Sequence, residues 1–394
     1  MNEDIVIVSA VRTPIGRYGG AFKEISSGHL ASIAIDEAIR RAKIAPEQVD
    51  EVILGEVRQS TESSNVARVA ALRSGIPDTA PAFTVNRLCA SGMQAIASAV
   101  QQIHSNQANI VIAGGTENMS RAPIYLRNAR FGGDRTSLVD SNMEAGQQPQ
   151  EIYGKNLGMG ITAENVAQRH HISREDQDAF ALESQRRAEK AIEDGKFKDE
   201  IVPVEVLERK RTVLIDTDEH PRPETTMEKL ANLKPAFREN GTVTAGNACG
   251  RNDGASALVL MKASEAERLS LKPLAKIVDW AAAGVSPEVM GIGPVPAVAK
   301  LLERTGKKVE DIGLFELNEA FASQALAVIR ELRLDTDKVN VNGGAIALGH
   351  PVGSTGARIV ITLIHEMIRR QEKFGIATLC VGGGQGMAIM VETI

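Results

Sequence analysis

Short, unbroken apolar runs alternate with longer segments of helical period along most of this chain. "DIVIVSA", "EVILGEV", "AFTVN" and "ANIVIAGG" read as strands. "HLASIAIDEAIRRAKI", "NVARVAALRSGI" and "ASGMQAIASAVQQI" read as the helices between them. Strands that are apolar at every position, rather than at every second one, are buried on both faces. The expectation is therefore an α/β fold whose sheet is mostly parallel and covered by helices on both sides.

The pattern breaks after "GGTENMS". From about Arg121 to Gly241 the sequence turns polar and irregular, interrupted by one strong helix, "SREDQDAFALESQRRAEKAIEDGKF". Ser173 and Asp176 resemble a capping box, and Gly195 fits a helix stop. Within the segment, "RKR" at 209–211 reads as a solvated loop. The strand "ASALVLMKAS" then completes the first sheet. The alternation resumes at "LAKIVDWAA" and continues through "VPAVAKLLERTG", "IGLFEL", "EAFASQALAVIREL", "KVNVNGG" (strand-like), "GSTGARIVITLIHEMIRR" and "GIATLCVGGG", with "GMAIMVETI" at the end. The two ends echo each other: "TVN" followed by a reactive residue, a small-residue helix start and "NIVIAGG" matches "NVN", "GHPVGSTGARIV" and "IATLCVGGG". Two similar α/β halves with an inserted loop region follow from this. A chain of 394 residues also exceeds what one simple core holds.

The bulk numbers narrow the function. The net charge of -5 argues against a dedicated nucleic-acid binder. No apolar run approaches the roughly 20 residues of a membrane span. The acids near the N-terminus do not fit a signal or transit peptide. The three cysteines are far apart, without zinc or disulfide spacing, which points to a reducing compartment. The expected location is the cytoplasm.

Cys89, in "VNRLCASGMQAI", stands where a helix begins. Free N–H groups and the helix dipole favour an anion there, and such sites bring a thiol pKa from about 8.5 into the range of roughly 3.5 to 7.5. The thiolate is the nucleophile, so the position suits covalent catalysis. A small buried hydrophobe at a packed junction fits the same residue. His350, in "GGAIALGHPVGSTGAR", lies in a glycine-rich turn before a helix, with Gly349 and Gly353 allowing close approach and Pro351 suiting the first helical position. It is poised for proton transfer or oxyanion donation, or is incidental to the turn. Cys380 ends the apolar strand of "CVGGGQGMA", where ligands bind beyond the carboxyl ends of strands. Those glycines lack the G-x-G-x-x-G spacing, which leaves a nicotinamide-dependent oxidoreductase little support, and no Walker A sequence is present. Asn318, in "ELNEAFAS", opens a helix as a plain N-cap, or holds a water or carbonyl oxygen. His104, His170, His171 and His365 lie on helices or at their ends.

"VNRLCASGMQA", "NEAFA", "GGAIALGHPVGSTGAR" and "CVGGGQGMA", in this order, resemble the thiolase family. "VRTPIGRYGGAF", "AGGTENMSRAP", "MGITAENVA", "LKPAFRENGTVTAGNACGRNDGA" and "GIGPVPA" agree, so the resemblance covers essentially the whole chain. It implies a duplicated, five-layered αβαβα fold: an N-terminal half over 1–120 plus 245–269, a loop domain over 121–244 and a C-terminal half over 270–394. It also implies coenzyme A thioesters as substrates and no metal or bound cofactor. Cys89 would accept the acyl group, His350 would activate its thiol, and Cys380 would exchange the proton at the substrate α-carbon. Asn318 would fix a water that forms one oxyanion hole with His350, and the N–H groups of Cys89 and Gly382 would form the other. Arg222 would lie near the adenine, while Leu233, Ala236, Phe237 and Ala245 would line the pantetheine and adenine track. Met159, Met290, Ala320 and Phe321 would line the acyl pocket. Two departures stand out. Gly158 replaces the histidine of the short-chain biosynthetic "HMG", which opens the acyl pocket to longer or branched chains. Cys249 replaces a serine that holds pantetheine, and a thiol is a poorer hydrogen-bond partner.

The leading expectation is an acetyl-CoA acetyltransferase type of thiolase, assembled as a homotetramer with a dimer as the alternative. The competing readings are a degradative 3-ketoacyl-CoA thiolase of longer chains and, in a different class, a non-catalytic acyl-CoA or lipid binder.

Overall fold

A computed structural model describes residues 3–133, 136–143, 146–208 and 211–394. Of the "RKR" run, Arg209 and Lys210 lie outside the described residues, and Arg211 opens a strand rather than a loop.

The first half contains β1 (Ile5–Arg12), β2 (Gly16–Arg17), α1 (Ser27–Ala42), β3 (Glu51–Gly55), α2 (Val66–Arg73), β4 (Ala82–Val85), α3 (Ser91–His104) and β5 (Ile110–Asn118). The chain then leaves the sheet through β6 (Ile124–Leu126), β7 (Leu138–Asp140), α4 (Gln150–Tyr153), α5 (Met159–Arg169), α6 (Arg174–Glu193), β8 (Val204–Glu208), β9 (Arg211–Ile215) and α7 (Met227–Ala231). It returns as β10 (Asn252–Lys262) and α8 (Ala263–Arg268). The second half contains β11 (Ala275–Gly284), α9 (Pro294–Thr305), β12 (Leu314–Leu317), α10 (Ala322–Leu332), α11 (Ala345–Leu348), α12 (Val352–Arg370), β13 (Phe374–Val381) and β14 (Gln385–Thr393).

The strands form a ten-stranded sheet in the order β12-β13-β14-β11-β1-β10-β5-β3-β4, with β2 on β10. The expected mostly parallel sheet is corrected to a mixed one. Parallel pairing is confined to β12·β13, β3·β4 and β3·β5, while β10, β1, β11 and β14 pair antiparallel. Apolar runs report burial on both faces but not strand direction, and here the long excursion and the final hairpin reverse it.

Alternation along the strands explains the layers. On β1, Ile5 and Ile7 face a central core while Val6 and Val8 face an outer one. Helices α1 and α2 cover that outer face through Leu30, Ile35 and Val66. On β14, Met387 and Ile389 face the central core while Ala388 and Met390 face α9 and α10. The central core is filled by α3, which packs on the strands of the first half, and α12, which packs on the strands of both halves. The layers therefore run helix, sheet, helix, sheet, helix. Each fully buried Leu or Ile in them contributes about 1.5–3 kcal/mol.

Inside the excursion, α6 begins and ends as expected. Ser173 accepts from the Asp176 N–H, and Gly195 follows at φ +69. The one-helix reading missed α5, whose small and polar residues hide its buried face. "KVNVNGG" is not a strand: Val339 makes a single bridge to Phe315, and Asn340 turns at φ 47. The Asn340 side chain takes the place of a ladder, accepting from the Leu317 N–H at 2.8 Å and donating to the Leu317 carbonyl at 2.8 Å.

The two central helices meet backbone to backbone. A Cβ at Gly356 would lie 2.5 Å from the Met93 nitrogen, and one at Gly92 would lie 2.8 Å from the Ala357 nitrogen. Neither neighbour is a flexible side-chain tip, so there is no room for a methyl. Substituting Gly356→Ala is expected to destabilise the protein by about 1–3 kcal/mol through overpacking. The shift of the urea midpoint, at unchanged slope, measures it.

Candidate active site

Cys89 stands on a strained turn between β4 and α3. The helix begins at Ser91 with Ala90 as N-cap, so Cys89 lies just before it rather than on its first turn. Leu88 adopts φ 47, a left-handed conformation costly for a leucine. Polar bonds over-determine the turn. The Ser91 hydroxyl donates to the Leu88 carbonyl at 2.6 Å and accepts from the Arg87 N–H at 3.0 Å. The Asn86 side chain accepts from the Leu88 N–H at 2.9 Å.

His350 reaches the same place from the second half. Gly349 sits at φ +103, and a Cβ there would strike the Asn252 amide at 2.5 Å. Asn252 accepts from the His350 N–H at 2.9 Å and fixes the turn. The ring Nδ1 lies 2.7 Å from the Thr355 hydroxyl, which itself donates to the Pro351 carbonyl at 2.9 Å. A hydroxyl has one proton, so the Thr355 oxygen accepts and His350 carries its hydrogen on Nδ1. Nε2 is left with a free lone pair, buried and without a partner. Burial, reinforced by the Arg358 charge, lowers the His350 pKa to about 3, so the ring is neutral.

Cys89, His350 and Cys380 line one cavity of about 430 Å3, together with Gly382, Cys249, Met159, Met290, Ala320, Phe321 and Phe237. The backbone N–H of Gly382 and that of Cys89 itself face the Cys89 sulfur. Gly382 belongs to a turn from β13 into β14 rather than a dinucleotide loop. Arg222, Leu233 and Ala245 line a second cleft of about 530 Å3 with His220 and Lys229. The segments 233–237 and 245–249 each contribute to both spaces. Ala236 lines neither; it is exposed in a turn, its N–H donating to the Val243 carbonyl at 2.9 Å. Asn318 does not cap a helix, since α10 begins at Ala322 with Phe321 as its cap. It is fully buried and lines neither space, with both side-chain polar atoms unpartnered.

The expected low thiol pKa at Cys89 does not hold in this cavity. Burial pushes it up and outweighs the two N–H groups and the Arg58 charge, which favour the thiolate. Burial also pushes Cys249 up to about 12, and Cys380 upward, with the Cys89 charge adding to both. The thiols therefore rest protonated, and Cys89 needs a base to lose its proton.

Sequence reading passed over Thr355, Asn252 and Glu117. Glu117, fully buried, accepts from the N–H groups of Val57 at 3.0 Å, Arg58 at 2.9 Å and Gly353 at 3.0 Å. It thereby ties the loop after β3 to the start of α12. Beside it, Glu56 accepts from the Ser27 hydroxyl at 2.6 Å. The available signal was "GTENMS", an acid inside an otherwise apolar strand end.

The comparisons with known proteins follow this geometry. Family models described as thiolase, N-terminal domain and thiolase, C-terminal domain match residues 5–264 and 271–393. The chain belongs to the thiolase family. This thiolase is 49% identical, over 400 residues and 100% of both chains, to an acetyl-CoA acetyltransferase of Syntrophomonas wolfei subsp. wolfei. The crystal structure of the Bacillus anthracis acetyl-CoA acetyltransferase superposes with a TM-score of 0.96 at 49% identity, covering 100% of this chain and 99% of that one. Human mitochondrial 3-ketoacyl-CoA thiolase in complex with CoA superposes at 0.94 and 44% identity, covering 100% and 98%. Among the described residues, no helix is long and apolar enough to cross a membrane, and no group of three His, Cys, Asp or Glu is arranged to hold a metal.

Two measurements test the electrostatics of the thiolase site. Replacing Thr355→Val frees the tautomer of His350 and is expected to lower kcat roughly ten- to hundred-fold with KM little changed. Steady-state kinetics reads this, and Thr355→Ser restores most of the rate. Burial raises Glu117 to about 7 and Glu56 to about 8 from 4.5. Folded-state values above the unfolded ones mean that this stability is complete below about pH 4.5 and is lost as pH rises through about 7 to about 8. Denaturant titrations across that window are expected to show stability falling by up to roughly 1.4 kcal/mol per pH unit for each group. The fall is expected to be shallower in Glu56→Gln.

Proposed function

We propose that this thiolase is an acetyl-CoA C-acetyltransferase, which runs acetyl-CoA + acyl-CoA = 3-oxoacyl-CoA + CoA in either direction. The observation that carries this is a nucleophilic thiol, an unprotonated imidazole nitrogen and a second thiol on one cavity, with two backbone N–H groups on the nucleophile's sulfur. The names of the relatives support the same reading.

Cleavage proceeds as follows. His350 Nε2 takes the Cys89 proton, and the thiolate attacks C3 of the 3-oxoacyl-CoA. The N–H groups of Cys89 and Gly382 receive the oxyanion. The C2–C3 bond breaks and its electron pair becomes the enolate of acetyl-CoA. The protonated His350 and a water on Asn318 hold that enolate while the Cys380 thiol delivers its proton to C2. A raised thiol pKa suits this step, because the proton is present when the carbanion forms. Acetyl-CoA leaves. The CoA thiol then returns a proton to Cys380, its thiolate attacks the acyl-Cys89, and the departing Cys89 recovers the proton from His350. Splitting the reaction through an acyl-cysteine replaces one hard step with two. The site residues supply every group, without metal or bound cofactor.

The second cleft, with Arg222, His220 and Lys229, is the nucleotide end of the CoA site, and the segments 233–237 and 245–249 lead pantetheine inward. Residues 121–244 form the loop domain. The β6–β7 hairpin exposes Ile124, Tyr125, Leu126 and Leu138, which supports an assembly contact and a homotetramer rather than a dimer. The site of action is the cytoplasm.

Mass spectrometry tests the reading. Incubation of Cys380→Ala with acetyl-CoA is expected to leave an acetyl group on Cys89, since attack on the thioester needs only Cys89 and His350 and the departing CoA thiolate takes its proton from water in place of Cys380, while turnover falls at least about a thousand-fold. An unmodified Cys89 would favour a non-catalytic CoA-ester binder. A thiolysis rate that holds steady or rises with acyl length would favour a degradative 3-ketoacyl-CoA thiolase.

A further inference from the structure

The cavity around Cys89 carries a charge asymmetry that thioester chemistry does not require. Arg58 and Arg251 line it, and among the described residues no Asp or Glu does. Arg251 is engaged, its guanidinium over the Tyr18 ring at 5.9 Å and its Nη2 2.7 Å from the Met143 sulfur. Arg58 is not. The residue is half-buried, and its Nε is shut away from solvent without a hydrogen-bond partner. Among the described residues its side chain donates to no acceptor and forms no ion pair. Its charge acts on Glu117, whose oxygens are already taken by the N–H groups of Val57, Arg58 and Gly353. Glu117 thus fixes the Arg58 backbone and leaves the guanidinium free.

A guanidinium whose Nε is shut from water without a partner costs free energy that an anionic ligand returns. Its planar fork fits a carboxylate with two parallel hydrogen bonds. Placement selects which part of the ligand this is. Arg58 stands with Val57, Leu88 and Cys89 on the wall built by the first half, whereas Gly160, Phe237 and Cys249 mark the side toward the CoA cleft. An acyl group bonded to Cys89 shares this cavity with Arg58.

We propose that Arg58 is a specificity residue for acyl chains that end in a carboxylate, so that the substrates of this thiolase include CoA thioesters of 3-oxodicarboxylic acids. This rests on the thiolase reading above. With 3-oxoadipyl-CoA the C2–C3 bond breaks, acetyl-CoA leaves with a proton on C2, and a succinyl group remains on Cys89 with its free carboxylate on Arg58. CoA then takes that group as succinyl-CoA, and its thiol proton returns to the enzyme.

The test is steady-state thiolysis by the full-length protein of three substrates: acetoacetyl-CoA, 3-oxoadipyl-CoA and 3-oxohexanoyl-CoA, the methyl-ended chain of equal length. The wild type is expected to favour the carboxylate-ended chain over the methyl-ended one by roughly tenfold or more in kcat/KM. Arg58→Met is expected to lower that ratio at least about tenfold, chiefly through KM, and Arg58→Lys to keep an intermediate ratio. A succinyl adduct on Cys89 by mass spectrometry supports the same assignment. Equal or better use of the methyl-ended chain by the wild type overturns it, as does an Arg58→Met variant that loses both chains alike. If acetoacetyl-CoA is cleaved through acyl-Cys89 without a carboxylate preference, this inference alone fails. If no substrate is cleaved and Cys89 stays unmodified, the thiolase reading fails with it.

Discussion

The close crossing of α3 and α12 is the contact on which the site depends. Each helix is preceded by one reactive residue, Cys89 or His350, and each carries a glycine near its first turn where the other helix's backbone passes. Because Gly92 and Gly356 have no side chain, the two N-terminal ends converge. Two turns that belong to different halves of the chain thereby open on one cavity. Side chains at the crossing would spread the ends, and a displacement of about 1 Å in reacting groups costs on the order of a hundred-fold in rate.

The same burial that fixes the geometry sets the proton inventory. Three thiols and an imidazole share one cavity whose burial disfavours charge, so each rests in its neutral form. Among these four groups no charge stands at rest, and the two donors that face the Cys89 sulfur are backbone N–H groups that cannot titrate. Preorganised dipoles of this kind favour the transition state without first holding an ion in the resting enzyme. Glu117 belongs to this economy as well: its carboxylate spends itself on three backbone N–H groups, and so aligns two loops without entering the cavity.

Much of this was legible in the chain. Continuous apolar runs revealed strands buried on both sides, and the sulfur, imidazole and glycine motifs marked residues that the fold brings together. What stayed hidden has physical causes. Strand direction is not encoded in an apolar run, so β10 and β14 read like their neighbours although they run antiparallel to them. Helix α5 buries small residues and Glu164, which gives little apolar periodicity. The thiol shift at Cys89 followed the rule for helix ends, but the rule assumes a solvated end, and desolvation is the larger effect here. Asn252 acts through a hydrogen bond to a residue 98 positions away, which no local pattern announces, and Thr355 lies five residues after His350 but reads as an ordinary residue of α12.

The duplication is imperfect, and the imperfection is useful. In the first half, β4 pairs fully with β3 and residues 86–90 lead directly into α3. In the second half, the corresponding strand shrinks to the Val339 bridge, and residues 340–351 contain α11 before α12 begins. Buried Glu319 holds that longer path by accepting from the Ser184 hydroxyl at 2.6 Å, the Asn340 amide at 2.8 Å and the Ile346 N–H at 3.2 Å. One copy of the motif thus makes a tight, strained turn that presents a thiol. The other makes a longer, internally bonded turn that presents an imidazole with a defined tautomer. Had both halves kept the short turn, two similar groups would face each other across the crossing, with no proton acceptor for the thiol. Divergence in loop length, on a shared helix-crossing scaffold, turns a repeated fold into a site with distinct chemical roles.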